Sequence, residues 1–296
     1  MNLKRTVKPT ITPFCLDAGD SIDLTLSNGK VWTMKLLEST ARVANRANPE
    51  YNDGGHVRGN IGVYEFDALA VINGRSRTFH REVGAQTSFY QPWNIDGVTI
   101  WFDASAAAFR ERKGFMVEKD WRDGFICCPT RLTRWAVQEE GAGICPEPLR
   151  ECFPNPKRPL SINDCYMGED CWMGPYNGAS AHCGLDINMK IGTPLFAPFS
   201  MDTQRLFNSL ACGDRNNRWI GERRWQDGSI WQFQCHHIVE TTLPANAPVR
   251  AGEQYATAAG VSYGETPHSH FMWRVCEHGG SNWLDPWILM SQTPPA

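Results

Sequence analysis

At 296 residues the chain is long enough for one large or two ordinary domains, each with a core of its own. Hydrophobic residues at 42% and charged residues at 21% supply enough apolar surface to offset the ordering entropy of folding, which excludes a disordered chain. A formal charge of -3 with no run of Lys or Arg excludes a strong pull on phosphate backbones, so nucleic acid is not an expected partner.

Taken in chain order, the first third reads as strands. Residues 20–27 alternate Ile22, Leu24 and Leu26 on one side, Asn28-Gly29 is a type I′ turn signal, and residues 31–37 return. A second hairpin follows the same plan through 61–72, Asn73-Gly74 and 75–83. Residues 91–104 add strand signal through Val98, Ile100 and Phe102, and 106–113 carry a short helical pattern. These elements predict a β-sandwich-like accessory domain over residues 1–115.

Residues 116–164 are rich in Pro, Gly and Cys and read as an ordered connector. The chain has 11 cysteines, an odd number, and the separations Cys145/Cys152 and Cys165/Cys171 suit short disulfide-closed loops. Such usage predicts an oxidising, extracytoplasmic location. Only Cys127-Cys128 are closely spaced, so a structural cysteine-zinc module is not expected. No apolar run approaches the roughly 18 to 20 residues needed to cross a bilayer, and the opening residues contain no apolar export segment. Strands return in 165–296, where 218–225, Asp227-Gly228 and 229–238 form a tryptophan-rich hairpin signal. Trp219, Trp225 and Trp231 fit either a core or a groove for stacking on a substrate, and in short strands the core reading is the commoner one.

Of the 8 histidines, His182, His236, His237, His268 and His270 fall in three short stretches of this last region. In a strand, side chains at i and i+2 share a face, so the imidazoles of His268 and His270 stand about 6 to 7 Å apart along the chain, able to reach one point. Such a pair is as compatible with two solvated histidines as with a metal role. The stretch HCGLD at 182–186 shifts that balance, because His182 and Asp186 add an imidazole and a carboxylate. Two histidines, one aspartate and a water complete a catalytic zinc sphere.

The chain here resembles the lysostaphin/LytM, or M23, family of zinc endopeptidases. The resemblance rests on HCGLD at 182–186, GTPLFAP at 192–198, His237-Ile238, the turn that contains Gly252, and PHSHF at 267–271. Three departures stand beside it: a longer stretch over 202–218, Met272 where the family commonly has an acidic residue, and His236 duplicating the adjacent histidine.

The resemblance implies a C-terminal antiparallel β-sheet zinc peptidase domain over 165–296, in a mostly β chain. It implies one Zn2+ per chain, held by His182, Asp186 and His270, with His237 and His268 as the catalytic pair. His237 is preferred to His236 because Ile238 then fills the apolar position after the histidine and strand alternation turns His236 to the opposite face; a bulge would reverse that parity. Cys183, by the same alternation, turns away from the metal as a packing residue or disulfide partner. His56, His80 and His278 lie outside the motifs and read as surface or core histidines. The implied activity is hydrolysis of peptide bonds, in peptidoglycan stem peptides or cross-bridges, by a zinc-activated water. The rivals are a non-catalytic binding or regulatory protein of the same fold and a zinc peptidase acting on non-wall proteins.

Overall fold

A computed structural model describes residues 1–46, 52–53, 56–57, 62–83, 91–105, 108–109, 119–120, 133–154, 175–176, 180–181, 184–207, 217–239, 243–259, 267–277 and 280–293. The chain is mostly β and divides into two units. The first comprises Met1–Pro146 with Met173–His182, the second Glu147–Trp172 with Cys183–Ala296.

In the first unit, a five-stranded sheet runs in the order Asn2–Thr6, Ser21–Thr25, Val31–Arg46, Gly62–Ile72, Arg75–Val83. The first pair is parallel and the others antiparallel. A four-stranded antiparallel sheet orders Thr12–Leu16, Thr133–Glu139, Val98–Ser105 and Trp93–Ile95. Period-two alternation builds the core: Ile22, Leu24, Trp32, Met34, Leu36, Phe66, Ala70 and Ile72 are buried, and the residues between them are more exposed. Phe79 of the larger sheet meets Trp93 and Trp135 of the smaller one edge-on, each at 5.1 Å, and Phe102 stacks on Trp135 at 4.4 Å. Thr133–Glu139 is a strand inside the stretch read as connector. The helical pattern over 106–113 falls largely outside the described residues, and Ala108–Phe109 is a strand.

The hairpin at Asn73-Gly74 has both residues at positive φ, 47° and 80°, as a type I′ turn requires. At Asn28-Gly29 only Gly29 does, at 81°, and Leu26 N–H donates to Lys30 O across a three-residue loop. The expected two-residue turn is therefore a three-residue turn closed by a glycine bulge. Asp227-Gly228 repeats this form between Trp225 and Ser229.

The second unit is built on an antiparallel sheet ordered Leu185–Asn188, His268–Glu277, Ile230–Ile238, Asn217–Arg224, Thr203–Phe207, with Gly280–Leu284 also paired to His268–Glu277. Pro194–Phe196 pairs separately with Gln254–Thr257. One face packs an aromatic core: Trp231 lies edge-on to Trp273 at 5.3 Å, and Trp219 stacks on Tyr255 at 3.8 Å. Trp219, Trp225 and Trp231 are all buried, so the core reading of these tryptophans is the right one. A short helix, Pro286–Met290, is capped by Asp285, whose carboxylate accepts from Trp287 N–H at 2.8 Å.

Two cysteine expectations meet the structure. Cys145 and Cys152 are thiols, which corrects the expected loop-closing bridge between them; Cys165 and Cys171 lie outside the described residues. Spacing brings two cysteines within chain reach but does not supply the close, aligned Cβ geometry that a bridge needs. Cys15 is disulfide-bonded. Among the described residues, no helix is long and apolar enough to cross a membrane.

Candidate metal centre

The PHSHF strand, His268–Glu277, lies between two partners, and its register decides which side chains meet. On one side Asp186 is opposite His270 and Asn188 opposite His268; on the other, His236 is opposite His270 and Cys235 opposite Phe271. Residues directly opposite in an antiparallel sheet share a face. Leu185, Phe271 and Cys235 thus form one row, fully buried on the core side, where Phe153 stacks on Phe271 at 5.7 Å. The next row, turned the other way by the pleat, is Asp186, His270 and His236.

Asp186 sits between the two histidines of the PHSHF motif. Its Oδ1 lies 2.7 Å from His270 Nδ1 and its Oδ2 lies 3.6 Å from His268 Nε2. The first is a short charge-assisted contact; the second is electrostatic only. Asp186, His268 and His270 are all buried, at 4%, 4% and 8% exposure, so this carboxylate has been taken out of water among imidazoles. Burying a carboxylate is costly unless a cation or a full set of donors meets it.

The adjacent pair His236-His237 is where the structure departs from simple alternation. Between Arg218, opposite His236, and Asn217, opposite Ile238, one residue step on one strand faces two on the other. His237 is the extra residue of this β-bulge and takes φ +58°, a left-handed conformation uncommon outside glycine that histidine adopts more readily than most side chains. The bulge turns both imidazoles to one side. The His237 ring lies 4.8 Å from that of His268, and the His236 ring 4.8 Å from that of His270. The expectation that His236 faces away is therefore corrected, because inserting one residue cancels the alternation on which it rested.

His236 Nε2 is out of solvent and has no hydrogen-bond partner among the described residues. Burial, reinforced by the neighbouring His270, Arg218 and His237, holds this imidazole well below its ordinary pKa, in the neutral form that binds metals. Behind it, on the core side of the sheet, burial pushes the Cys235 thiol up to about 12, which favours the protonated form.

Gly184, the middle residue of HCGLD, has a geometric role the sequence did not disclose. A Cβ there would run into the His270 ring and stand 2.6 Å from Phe271 O. Only glycine lets the motif pass this close to His270. The sequence reading thus missed two residues of the site, Gly184 and His236, although both stood inside motifs that it had marked. His182 and Cys183 lie outside the described residues, so the structure brings together Asp186, His237, His268 and His270 of the expected set. Imidazole nitrogens around a buried carboxylate are a donor set suited to zinc and similar divalent ions.

Among the described residues, the group of three donors whose ligand atoms lie within 4.8 Å of one another is Glu65, Asp67 and His80 in the first unit. His80 Nδ1 is 2.7 Å from Asp67 Oδ1 and its Nε2 3.6 Å from Glu82, on the exposed face of the sheet. The hydrogen bond to Asp67 raises the His80 pKa, as expected of a surface ion pair.

No family model and no curated protein matches the chain. Solved structures do. The chain is 28% identical to lysostaphin in solution over 40% of its own length and 49% of that chain, at a TM-score of 0.33. To the catalytic domain of the antimicrobial peptidase lysostaphin from Staphylococcus simulans it is 23% identical, over 44% of this chain and 94% of that one, at a TM-score of 0.33. A zinc containing peptidase from Vibrio cholerae is 10% identical, over 94% of this chain and 84% of that one, at 0.34. The chain spans about half the length of the longer lysostaphin chains it matches. Superpositions this loose carry no weight for the arrangement of the site, which stands on its own residues. In the motifs 182–186, 192–198 and 267–271, and among solved structures, the chain resembles the lysostaphin-type M23 peptidases.

Proposed function

We propose that the chain is a zinc-dependent peptide hydrolase whose site lies on the PHSHF strand, with His182, Asp186 and His270 holding one Zn2+ and His237 and His268 acting as the catalytic pair. The observation that carries this reading is the buried Asp186 carboxylate, flanked by His270 and His268, with His237 facing His268 at 4.8 Å. A zinc ion held there would act as a Lewis acid and lower the pKa of a water to about 7.

The chain's own groups supply the rest. His237 and His268 stand close enough to hold one proton between them and a water, to accept it at a ring nitrogen and to return it to a leaving amine. Asp186 Oδ2 lies 3.6 Å from His268 Nε2, beyond hydrogen-bond distance, which leaves that ring nitrogen able to turn toward a water. Gly184 leaves His270 its space. Residues 165–296 are the proposed peptidase region and residues 1–115 an accessory β domain, in a protein acting outside the cytoplasm. The proposed substrate is the peptide part of peptidoglycan, in stem peptides or cross-bridges, as the motif resemblance implies.

The test is direct. The purified chain is assayed for zinc and incubated with a panel of muropeptides and generic peptides read by mass spectrometry, with Asp186→Asn as control. One zinc per chain and new amino termini in the wild type alone are expected. A folded protein that takes up no zinc after supplementation sinks the reading.

A further inference from the structure

We infer that Arg218 is a specificity-determining residue of the proposed hydrolase, binding a carboxylate that the substrate peptide carries about three residues from the bond that is cut. The inference rests on the zinc reading above and names the kind of peptide that the same site takes.

The row that holds the metal centre does not stop at His236. Asp186 is opposite His270, His270 opposite His236, His236 opposite Arg218 and Arg218 opposite Phe207, so one line of side chains crosses the sheet on a single face. Exposure rises along it. Asp186 and His270 are buried, at 4% and 8%, His236 is intermediate, Arg218 is exposed and Phe207 is 45% exposed. The row therefore runs from a buried carboxylate out to open surface, and a peptide that follows it outward from the metal passes over Arg218.

Arg218 also differs from Arg205 and Arg274 on the same face, whose guanidiniums are engaged. Arg205 Nη2 lies 3.7 Å from Glu222 Oε1, and its guanidinium covers the Phe207 ring at 5.1 Å. Arg274 donates to Gln232 Oε1 and lies over the Trp283 ring at 5.1 Å. Glu222 accepts in turn from Gln232 Nε2. Arg218 forms no ion pair with a described residue.

A guanidinium is a permanent cation whose paired N–H donors match the two oxygens of a carboxylate. Neighbouring strands are about 4.8 Å apart, so the Arg218 backbone stands roughly 10 Å from that of His270, a span that an extended peptide covers in about three residues. A carboxylate at that position would meet Arg218 while the scissile carbonyl is at the metal. The preferred substrate is thus an acidic peptide. Among wall peptides this favours stem peptides, which carry free carboxylates, over cross-bridges of neutral residues such as glycine.

The experiment uses the full chain loaded with zinc and three kinds of synthetic peptide: stem-peptide analogues with free carboxylates, the same analogues with those carboxylates amidated, and oligoglycine. The wild type should show a kcat/KM about 5-fold or more higher for the free carboxylates than for the amides, the scale of a charge-assisted contact at an exposed site. Arg218→Gln and Arg218→Ala, checked for fold by circular dichroism and for zinc content, should bring that ratio to about 1, chiefly by raising KM for the free-carboxylate peptides. A merely structural role would lower both rates together and keep the ratio. Equal wild-type rates on the two forms, a preference for oligoglycine, or an unchanged ratio in Arg218→Gln would overturn this inference and leave the hydrolase reading standing. A zinc-loaded wild type that cuts none of these peptides would overturn both.

Discussion

Two buried carboxylates, Asp103 of the first unit and Asp186 of the second, are met differently. In the first unit Asp103, with no exposed surface, lies between two guanidiniums: Arg81 Nη1 at 3.0 Å from Oδ1 and Arg134 Nη2 at 3.1 Å from Oδ2. Arg81 also donates to the Asp103 carbonyl oxygen. Guanidiniums are permanent cations, so the group carries its own countercharge and its purpose is complete within the fold. In the second unit Asp186 is flanked by imidazoles, which are neutral donors when unprotonated and lie on a row shared with further imidazoles. A buried carboxylate with arginines reads as structure, whereas one with histidines is suited to receiving a cation from outside.

That contrast can be broken by exchanging losses between the two sites. The largest effect expected is on metal: Asp186→Ala or His270→Ala should lower zinc affinity by orders of magnitude in chelator competition, and Asp103→Ala should leave it unchanged. A zinc loss in Asp103→Ala equal to that of Asp186→Ala would erase the distinction.

The next effect is on turnover. His268→Ala and His237→Ala should keep their zinc, yet lose about 10²-fold or more in peptide hydrolysis, the scale for removing a positioned proton-transfer group. If His268→Ala released the metal while His270→Ala retained it, the roles within the PHSHF motif would be exchanged.

On stability the order reverses. Asp103→Ala strands two buried guanidiniums and should cost about 3–5 kcal/mol in denaturant unfolding, while Asp186→Ala in the metal-free protein should cost no more than about 1.5 kcal/mol. Gly184→Ala should follow at about 1–3 kcal/mol, because the added methyl pushes on the His270 ring, and it should weaken zinc as well.

The smallest effect belongs to His80. Its pKa is raised above 6.5 by Asp67, so the stabilisation from this pair is present in full below the unfolded value of 6.5 and fades as pH rises through the folded one. An NMR titration should place the His80 midpoint above 6.5, and Asp67→Asn should bring it down. Exposure of both side chains, 51% and 45%, keeps the effect on unfolding slight.

Much of this was legible along the chain. Alternating Ile22 and Leu24, the Asn73-Gly74 turn and the sequence PHSHF each act through neighbours one or two residues away, and the backbone obeys them. Cys145/Cys152 were not, because a spacing of seven residues says nothing of where two Cβ atoms point.

The amino-acid sequence by itself determined the donor types, their order, and the sharing of one face by His268 and His270, since period two is a property of any strand. Tertiary structure decided everything that depends on register. Asp186 meets His270, 84 residues away, because two strands align at that pair, and Gly184 matters only because that alignment brings the His270 ring against it. Which way His236 and His237 face was settled by a bulge against Arg218 and Asn217. A bulge is a mismatch in count between two strands, so no pattern within either strand alone could have announced it.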